Sequence, residues 1–578
     1  MNGGRLVAEV LQRHRVSTIF TLCGGHISPI LIGAKQLGIR VVDTRDERNA
    51  VFAADAMARL TGIPGVVAVT AGPGVTNTVT AVQNARLAES PLLILGGATA
   101  TVLRGRGALQ DVEQLPMMKA ITKWATAATT VRGLVEAVEK GMRIAAEGVS
   151  GPVFVEAPVD LLYDEATVRE WYAKEAGMGT SKDLANRAVT AYLQAHLWRQ
   201  FAGVDRLATD TPPPVVVPEA SERDVRAVAD LLRRASKPVL VVGSQTLQVA
   251  AEADRVAAAT RALGLPTFLG GMARGLLGRS DPLQLRHSRG KALKEADVVL
   301  VLGFPLDFRL GYGQRISKKA SLITVNRDKK QLNKNRRPTL GVEGDAGRFL
   351  QALARELGGQ EGRWSGWLAE LRAADDVRDA EIAAMAEQKL EHLNPVALCR
   401  AIEDILPDNA TLVVDGGDFV ATAAYVIRPR SPLSWLDPGV FGTLGVGGGF
   451  ALAAKAAKPG QEVWLIYGDG SAPYSMSEID TCVRHGLPVI AVIGNNGSWA
   501  QIAREQVEMF GDDVGTVLRR SDYHTVGAGY GAHPIRLDAG DDVPAVLAEA
   551  RRIAHEGRPV VINAMISDTE FRKGSISM

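Results

Sequence analysis

The chain of 578 residues has room for roughly three to four domains, and its 46% hydrophobic and 22% charged residues are typical of a globular protein with a large core. Its 66 basic residues nearly balance its 64 acidic residues, which argues against a nucleic-acid-binding surface. No apolar run approaches the length of a membrane span and no signal peptide opens the sequence, so we expect no membrane partner. Three widely separated cysteines, Cys23, Cys399 and Cys482, show no metal-binding spacing and favour a reducing compartment, for which we expect the cytoplasm.

Short apolar runs alternate with amphipathic segments through the first 170 residues. Strands are predicted over 18–22, 40–43, 66–70 and 91–95, and an alanine-rich helix is predicted to end at residue 60. Such alternation predicts a parallel sheet with helices on both faces. Parallel strands end at the same edge of a sheet, and open α/β sheets bind ligands at that edge.

Glycine-rich or polar turns follow these strands. His26 comes after Gly24-Gly25 at the end of the first strand, and Glu47 opens the alanine-rich helix after the second. The third strand leads to Gly72-Pro73-Gly74 and Asn77. Glu47 can also be read as a first-turn carboxylate that favours the helix dipole, and a lone histidine is more often structural. Glycine lets the backbone approach a ligand closely, so this edge is a candidate binding site.

A second, smaller α/β unit follows three prolines at 212–214. Strands are predicted over 238–242, 298–302 and 322–325, and the unit is expected to end near residue 350. Three turns at its strand ends could hold a nucleotide: Gly243-Ser244, Asp307-Phe308-Arg309 and Asn326-Arg327-Asp328. A helical, charged stretch over 352–390 is predicted to connect this unit with the next.

The third unit is predicted to start at Asn394-Pro395, which is typical of a helix N-terminus. Its first strand, over 412–415, leads into Gly416-Gly417-Asp418-Phe419, and Gly442-Thr443-Leu444 follows. A strand over 463–467 ends in Gly468-Asp469-Gly470-Ser471. A helix is predicted over 475–485, and a strand opened by Pro488 ends in Gly494-Asn495-Asn496-Gly497.

The stretch over 468–499 has the chemistry of a metal and phosphate site. Asp469 offers a carboxylate oxygen, and Asn496, 27 residues later, offers an amide oxygen at the end of the next strand. Mg²⁺ prefers such oxygens and often shares its shell with phosphates. Gly470 and Ser471 are expected to lead into a helix whose first N–H groups can hold those phosphates. Gly-Asp-Gly alone is also an ordinary turn, so the interpretation depends on the spacing and the paired asparagine.

This stretch, from Gly468 to Trp499, resembles the Gly-Asp-Gly…Asn-Asn signature of enzymes that bind thiamine diphosphate through a metal ion. The likeness covers nearly the whole chain and is greatest to the branch of acetolactate synthases and 2-hydroxyacyl-CoA lyases, in particular the acetolactate-synthase-like 2-hydroxyacyl-CoA lyases. It implies an α/β fold of three doubly wound parallel-sheet domains. These are a pyrimidine-binding domain over 1–175, a central nucleotide-binding-like domain over 215–352 and a diphosphate-binding domain over 385–570.

The resemblance also implies catalytic residues. Glu47 would protonate N1′ of the cofactor's aminopyrimidine ring, and His26 would line the substrate pocket. Gln110 would donate to the substrate carbonyl, although Asp111 stands beside it where relatives have glutamate, and a surface glutamine is an equal interpretation. Leu444 would support the cofactor from beneath and bend it into a V; outside this context a buried core leucine is the simpler interpretation.

The implied metal ligands are Asp469, Asn496 and Ser498. The other implied cofactor-binding residues are Gly25, Gly72, Asn77, Gly417, Asp418, Phe419, Gly442, Gly468, Gly470, Ser471 and Trp499.

Three functions remain open from the sequence. The first is a thiamine diphosphate- and Mg²⁺-dependent lyase or carboligase that cleaves or forms a 2-hydroxyacyl-CoA, with an aldehyde and formyl-CoA as the other side of the reaction. The second is an acetolactate synthase that condenses pyruvate. The third is a non-catalytic homologue, against which the intact Glu47, Asp469 and Asn496 argue. The central domain would hold FAD, ADP or nothing.

The resemblance implies a homodimer or homotetramer that acts on a small molecule, either an acyl-CoA or a 2-oxo acid. A basic cluster is either a solvated turn or a seat for coenzyme A phosphates. Its members are Lys329, Lys330, Lys334, Arg336 and Arg337. The tail over 571–578 carries polar groups that could fold over the active site.

Overall fold

The computed structural model describes residues 2–175, 184–204, 207 and 211–572. It contains two compact units, one made of Met1–Arg59 and Ile63–Val216, the other of Leu60–Gly62 and Val217–Met578. The first unit holds one six-stranded parallel sheet and the second unit holds two. The predicted α/β fold with three helix-covered parallel sheets is therefore confirmed.

The sheet of the first unit has the strand order β2-β1-β3-β4-β6-β5. Its strands are β1 (Thr18–Leu22), β2 (Arg40–Asp43), β3 (Gly65–Val69), β4 (Leu92–Ala98), β5 (Trp124–Ala127) and β6 (Pro152–Pro158). The helices are α1 (Gly3–Arg13), α2 (Ser28–Gln36), α3 (Glu47–Thr61), α4 (Pro73–Thr76), α5 (Val79–Ala88), α6 (Gln114–Ile121), α7 (Val131–Ala146), α8 (Glu165–Glu175) and α9 (Leu184–Phe201). Apolar side chains of the central strands pack against those of α1 and α7, as the continuous valine and leucine runs predict.

The second unit begins with the sheet ordered β12-β11-β10-β7-β8-β9. Its strands are β7 (Pro238–Val242), β8 (Thr267–Leu269), β9 (Gln284–Leu285), β10 (Val298–Leu302), β11 (Ser321–Asn326) and β12 (Leu340–Glu343). The helices are α10 (Glu222–Arg234), α11 (Ala253–Leu263), α12 (Arg289–Glu295), α13 (Lys329–Leu332), α14 (Ala346–Leu357) and α15 (Ser365–Ala386). The stretch predicted as a helical connector is broken between α14 and α15, where Gly358 has φ +70 and ends the first helix.

The last sheet has the order β14-β13-β15-β16-β18-β17. Its strands are β13 (Thr411–Asp415), β14 (Trp435–Leu436), β15 (Val463–Gly468), β16 (Ile490–Asn495), β17 (His533–Leu537) and β18 (Val560–Met565). The helices are α16 (Pro395–Ile405), α17 (Asp418–Val426), α18 (Gly447–Ala457), α19 (Glu478–Arg484), α20 (Ala500–Phe510), α21 (Tyr523–Gly529) and α22 (Val543–His555). The predicted start of α16 is confirmed, because Asn394 caps it and Pro395 is its first residue.

Two local predictions in this sheet were wrong. No α-helix follows Ser471 directly; a short 3₁₀ turn, Ala472–Tyr474, comes first and α19 starts only at Glu478. The backbone leaves the helical path at Ser475, which has φ −141 and ψ 13. Its hydroxyl accepts from the Gly448 N–H at 3.0 Å and contacts the Tyr467 hydroxyl at 2.8 Å, so this position is tied to other elements. Strand β16 begins at Ile490 rather than at Pro488.

Among the helices that the structure describes, none is both long enough and apolar enough to cross a bilayer.

Candidate active site

The first unit gathers six of the implied residues along the carboxyl edge of its sheet: Gly25, His26, Glu47, Gly72, Asn77 and Gln110. Glu47 starts α3 and is only 7% exposed, and the Asn77 amide donates to its carboxylate at 3.0 Å. A Cβ on Gly74 would lie 3.7 Å from the other Glu47 oxygen. The structure therefore brings Glu47 and Asn77 together in a nearly buried acid–amide pair, beside Gly74, where a Cβ would lie 2.8 Å from the Thr70 side chain.

His26 lies at the same edge, next to β3. Its Nδ1 is 3.1 Å from the Thr70 hydroxyl, and burial lowers its pKa below the usual histidine value, so the ring is neutral at pH 7. Gly25 beside it is exposed. A neutral imidazole with one nitrogen held by Thr70 can present its other nitrogen to a ligand.

The loop that carries Gln110 closes over Gly72. Gly72 has φ +59, and a Cβ there would lie 2.8 Å from the Gln110 carbonyl oxygen, so only glycine allows this approach. The side chain that holds the loop is Gln114, which the sequence analysis missed. Its amide accepts from the Gly72 N–H at 3.2 Å and donates to the Gly97 carbonyl at 2.7 Å.

The second unit holds the implied metal site at the ends of β15 and β16. Asp469 is 3% exposed and accepts from the Gly470 N–H at 2.9 Å and the Gly497 N–H at 2.7 Å, which ties the two turns together. Burial raises the pKa of Asp469, and this effect exceeds the lowering of the pKa by the two hydrogen bonds. Among the described residues no cation offsets the cost of burying Asp469, so a bound cation would relieve that cost.

The neighbouring donors suit a hard cation. The Asn496 amide nitrogen donates to Asp568 at 2.7 Å, which leaves the amide oxygen as its free end. Ser498 follows two residues later, and its hydroxyl donates to the Thr516 carbonyl at 3.4 Å, so its own backbone carbonyl is the remaining oxygen donor. Within the described chain no cluster of three His, Cys, Asp or Glu residues could hold a metal. A cation here would depend on one carboxylate, neutral oxygens and the oxygens of a ligand, as Mg²⁺ does.

Two aromatic rings pack closely against the backbone beside the implied metal site. We call the implied cofactor-binding residues of the second unit the cofactor half-site. A Cβ on Gly470 would lie 2.5 Å from the Trp499 ring, and one on Gly494 would lie 2.4 Å from the Phe419 ring. Both aromatic rings are therefore seated directly on glycines at the strand ends. Phe419 is the second residue of α17, so this contact also fixes the turn at Gly417 and Asp418.

Asp415 is a functional candidate that the sequence analysis did not identify. It ends β13, is fully buried, and its carboxylate accepts from the Gly445 N–H at 3.1 Å and the Gly447 N–H at 2.8 Å. Its backbone carbonyl accepts from the Ser471 hydroxyl at 2.5 Å. Burial raises its pKa to about 7. The position of Asp415 before Gly416-Gly417 was a signal in the sequence that could have identified it. Its hydrogen-bond partner Gly445 lies 30 residues further along the chain, so the contact itself could not be predicted.

The loop tied down by Asp415 carries Gly442 and Leu444. Leu444 is half-buried rather than part of the core, and Gly442 is exposed with φ +64. A leucine held at the half-site without full burial is available to contact a ligand, which favours a contact role over the core interpretation. Gly468 accepts from the Ser471 hydroxyl at 3.0 Å, so the whole Gly468–Ser471 turn is internally fixed.

A separate cavity of about 750 Å³ lies in the second unit, between its two sheets. We call it the arginine cavity, because its lining includes seven arginines: Arg274, Arg286, Arg289, Arg309, Arg315, Arg378 and Arg572. None of the described lining residues is acidic. Three of the arginines, Arg286, Arg309 and Arg378, lie within ion-pair distance of a carboxylate just outside the lining. Burial lowers the pKa of Arg274 and Arg289, and that of Arg286 to about 10, so these positive charges are held at a cost. Such a cavity is suited to a ligand with several negative charges.

Of the three turns predicted to hold a nucleotide, only the one at 307–309 lines this cavity. Phe308 and Arg309 line it, whereas Arg327 forms a buried ion pair with Asp345 at 2.8 Å. In the basic cluster, Arg336 donates to three backbone carbonyls and Lys329 lies 3.8 Å from Glu343. The cluster does not line the cavity.

Three family models match the chain. They are the N-terminal thiamine pyrophosphate binding domain over 1–117, the central domain over 225–353 and the C-terminal thiamine pyrophosphate binding domain of thiamine pyrophosphate enzymes over 415–564. The chain belongs to the thiamine pyrophosphate enzyme family. It is therefore an enzyme of the thiamine pyrophosphate (thiamine diphosphate) class, and each of its three sheets overlaps one family domain.

Relatives within this family are similar over their full length. The chain is 48% identical over 584 residues to 2-hydroxyacyl-CoA lyase 2 of Danio rerio. The aligned region covers all of this chain and 93% of the relative. The Homo sapiens protein of the same name is 48% identical over 585 residues, and the aligned region covers 100% of this chain and 92% of the relative. A probable acetolactate synthase of Mycobacterium bovis is 34% identical over 568 residues, with 98% and 96% covered.

Proposed function

We propose that this enzyme cleaves 2-hydroxyacyl-CoA thioesters to an aldehyde and formyl-CoA, with thiamine diphosphate and Mg²⁺ as cofactors. Full-length relatives at 48% identity are named 2-hydroxyacyl-CoA lyase 2, which supports this choice of substrate. The observation that carries the choice of substrate is this identity over the whole chain, and the arginine cavity adds a site suited to the phosphates of coenzyme A.

Coenzyme A fits the chemistry of that cavity. Its 3′-phosphate and 5′-diphosphate present several negative charges, and planar guanidinium groups bind phosphates through paired hydrogen bonds. A volume of about 750 Å³ lies within the usual range for a small-molecule site. Phe308, which is 53% exposed, lines the wall and can stack on an adenine ring. The basic cluster at Lys329 to Arg337 is a weaker candidate, since none of its residues lines the cavity.

The cavity also lies within reach of the cofactor half-site. Helix α17 ends at the cavity with Ala424 and Tyr425 and begins at Asp418, beside the turn implied to bind diphosphate. The seven steps of helix from Asp418 to Tyr425 rise about 10 Å. A thioester arm that starts at phosphates in the cavity can therefore extend along α17 towards the implied reaction centre.

The chain's own residues would hold the cofactor as follows. Asp469, Asn496 and the Ser498 carbonyl would bind Mg²⁺, and the metal would hold the diphosphate. When bound, thiamine diphosphate supplies the electron sink for breaking a carbon–carbon bond. Glu47 would hold a proton at the aminopyrimidine ring nitrogen, with Asn77 fixing the carboxylate.

Substrate contacts would come from the first unit. His26, neutral at pH 7, and Gln110 would orient the carbonyl and hydroxyl groups of the substrate. Leu444 would support the cofactor from beneath, on a loop that Asp415 holds in place.

The second candidate is acetolactate synthase, favoured by the 34% identical relatives of that name. In that case the arginine cavity would hold the diphosphate of FAD, or ADP alone, and pyruvate would be the substrate. A yellow preparation that releases FAD on denaturation would favour this candidate.

We also propose a homodimer or homotetramer in the cytoplasm. Helix α20 has no buried residue and exposes Ile502, Met509 and Phe510, which supports coverage by a second copy. All three cysteines are free thiols, which supports a reducing compartment. Light scattering coupled to size-exclusion chromatography and cell fractionation test the two statements. The tail beyond Arg572 lies outside the described residues.

The test of the reaction uses two substrates side by side. The purified enzyme with thiamine diphosphate and Mg²⁺ is incubated either with 2-hydroxyacyl-CoAs of several chain lengths or with pyruvate, and products are identified by mass spectrometry. We expect aldehyde and formyl-CoA from the thioesters. Acetolactate from pyruvate, with every thioester left intact, would decide for the second candidate.

A further inference from the structure

One helix connects the arginine cavity with the implied cofactor half-site. Asp418 is the first residue of α17, whereas Ala424 and Tyr425 in its last turn line the cavity. The Ala424 carbonyl accepts from Arg274 at 2.8 Å, and the Tyr425 carbonyl accepts from Arg286. Helix α17 is a rigid element, so a shift of its last turn at the cavity also moves its first turn at the implied cofactor-binding residues, and the reverse holds.

The end of the described chain also packs into this cavity. Phe571, in the 3₁₀ turn Glu570–Arg572, makes an edge contact with the Tyr425 ring at 6.0 Å between centroids. The Arg572 guanidinium lies 5.0 Å from the centre of the same ring, and Arg378 lies 5.6 Å from that of Phe571. Two of the seven cavity arginines thus contact this aromatic pair.

Arg504 on α20 joins the two ends. One of its guanidinium nitrogens donates to the Asp418 carboxylate at 2.5 Å, and the other donates to the backbone carbonyl of Arg572 at 3.3 Å. The Arg504 and Asp418 side chains are only 19% and 17% exposed, so water and salt screen this ion pair less than a surface pair. Arg504 also lies five residues after Trp499, whose ring covers Gly470 at the implied metal turn.

We propose that Arg504 couples the arginine cavity to the cofactor site, so that coenzyme A and thiamine diphosphate each bind more tightly when the other is bound. The inference rests on the proposed function, because it takes coenzyme A as the ligand of the cavity. Phosphates in the cavity contact Arg572 and fix the Glu570–Arg572 turn. The Arg572 carbonyl then stays in place for Arg504, and Arg504 holds Asp418 and the first turn of α17 in the position that the diphosphate needs.

The coupling must be reciprocal, because the order of binding cannot change the free energy of the doubly bound state. Cofactor bound at the Gly417–Asp418 turn fixes Asp418, and through Arg504 it fixes the Arg572 carbonyl and the cavity wall. Arg504 is thus a positioning residue that contacts neither ligand in this scheme.

The test measures binding rather than turnover. Calorimetry on the full-length protein, stripped of cofactor with EDTA, gives the Kd of coenzyme A with and without thiamine diphosphate and Mg²⁺. We expect the cofactor to tighten coenzyme A binding by at least about fivefold, the lower end of typical coupling between sites. Arg504→Met should remove this effect while each ligand alone still binds. Arg552→Met is the matched control, since Arg552 pairs with Glu549 and Glu556 on the exposed face of α22.

The outcomes separate this inference from the proposed function. Equal coenzyme A affinity with and without cofactor in the wild type would overturn the coupling and leave the lyase activity standing. Coupling retained in Arg504→Met would overturn the role of Arg504. No coenzyme A binding under any condition would overturn the proposed function and this inference together. If Arg504→Met does not fold, Arg504→Gln, which removes the charge and keeps a polar side chain, gives the same measurement.

Discussion

The seat of Phe419 on Gly494 offers a sharp test of how packing supports cofactor binding. Replacing Gly494 with alanine would place a Cβ 2.4 Å from Cδ1 and 2.5 Å from Cγ of the Phe419 ring. Carbon atoms in contact normally lie about 3.5–4.0 Å apart, so the ring must retreat by more than about 1 Å. Phe419 is 5% exposed and belongs to the core of the last sheet, so it has no open space to enter.

Overpacking of this kind typically costs about 1–3 kcal/mol. The strain is relieved when the first turn of α17 moves away from β16, and this movement displaces Gly417 and Asp418. Binding of thiamine diphosphate must then reverse the movement. If the full strain opposes binding, the Kd of the cofactor rises by about 5- to 150-fold.

The assay is calorimetric titration of thiamine diphosphate, at saturating Mg²⁺, into wild type and Gly494→Ala, with melting temperatures measured in parallel. Gly366→Ala is the control, because a Cβ on Gly366 meets nothing within 4 Å. Adding Phe419→Leu to Gly494→Ala should restore part of the affinity by making room. Wild-type cofactor affinity in Gly494→Ala would refute the claim that this contact positions the diphosphate turn.

Three further predictions concern single carboxylates. Asp469→Ala should abolish retention of thiamine diphosphate, and unchanged affinity by calorimetry would mean that the metal site is misassigned. Glu47→Gln should slow exchange of the cofactor's C2 proton for deuterium by about 10²- to 10⁴-fold, measured by NMR after acid quench; wild-type exchange would falsify its role as activator. For Asp415, burial raises the folded-state pKa to about 7, so its neutral form stabilises the fold and this stabilisation is lost as the pH rises from about 4 to about 7. Wild type should therefore lose thermal stability relative to Asp415→Asn across that range, and a difference in melting temperature that does not change with pH would contradict the assignment.

Regular elements with a strong local signal were predictable from the sequence. Strands 18–22, 238–242 and 298–302 have the predicted bounds, because each is a run of apolar residues between polar turns. The glycine turns at Gly468–Ser471 and at Gly72 were also identifiable, since each follows such a run. These features depend on neighbouring residues only.

The remainder depends on contacts between distant parts of the chain. Gln114 bridges Gly72 and Gly97, and nothing in its immediate surroundings distinguishes it from a surface glutamine. The arginines of the arginine cavity are scattered from Arg274 to Arg572, so only the fold brings them together. The run of basic residues over 329–337 was predicted as a possible phosphate site because the residues are adjacent in the sequence. In the structure Arg336 donates to backbone carbonyls and Lys329 lies near Glu343.

The central claim is that the bond between C1 and C2 of a 2-hydroxyacyl-CoA is broken while the thioester stays intact. A single-turnover experiment with substrate labelled with ¹³C at C1 tests this directly, with wild type and Glu47→Gln side by side. We expect the label in formyl-CoA, an unlabelled aldehyde shortened by one carbon, and far slower release of both from Glu47→Gln. Label recovered in a free 2-hydroxy acid with unmodified coenzyme A would show thioester hydrolysis and would contradict the account.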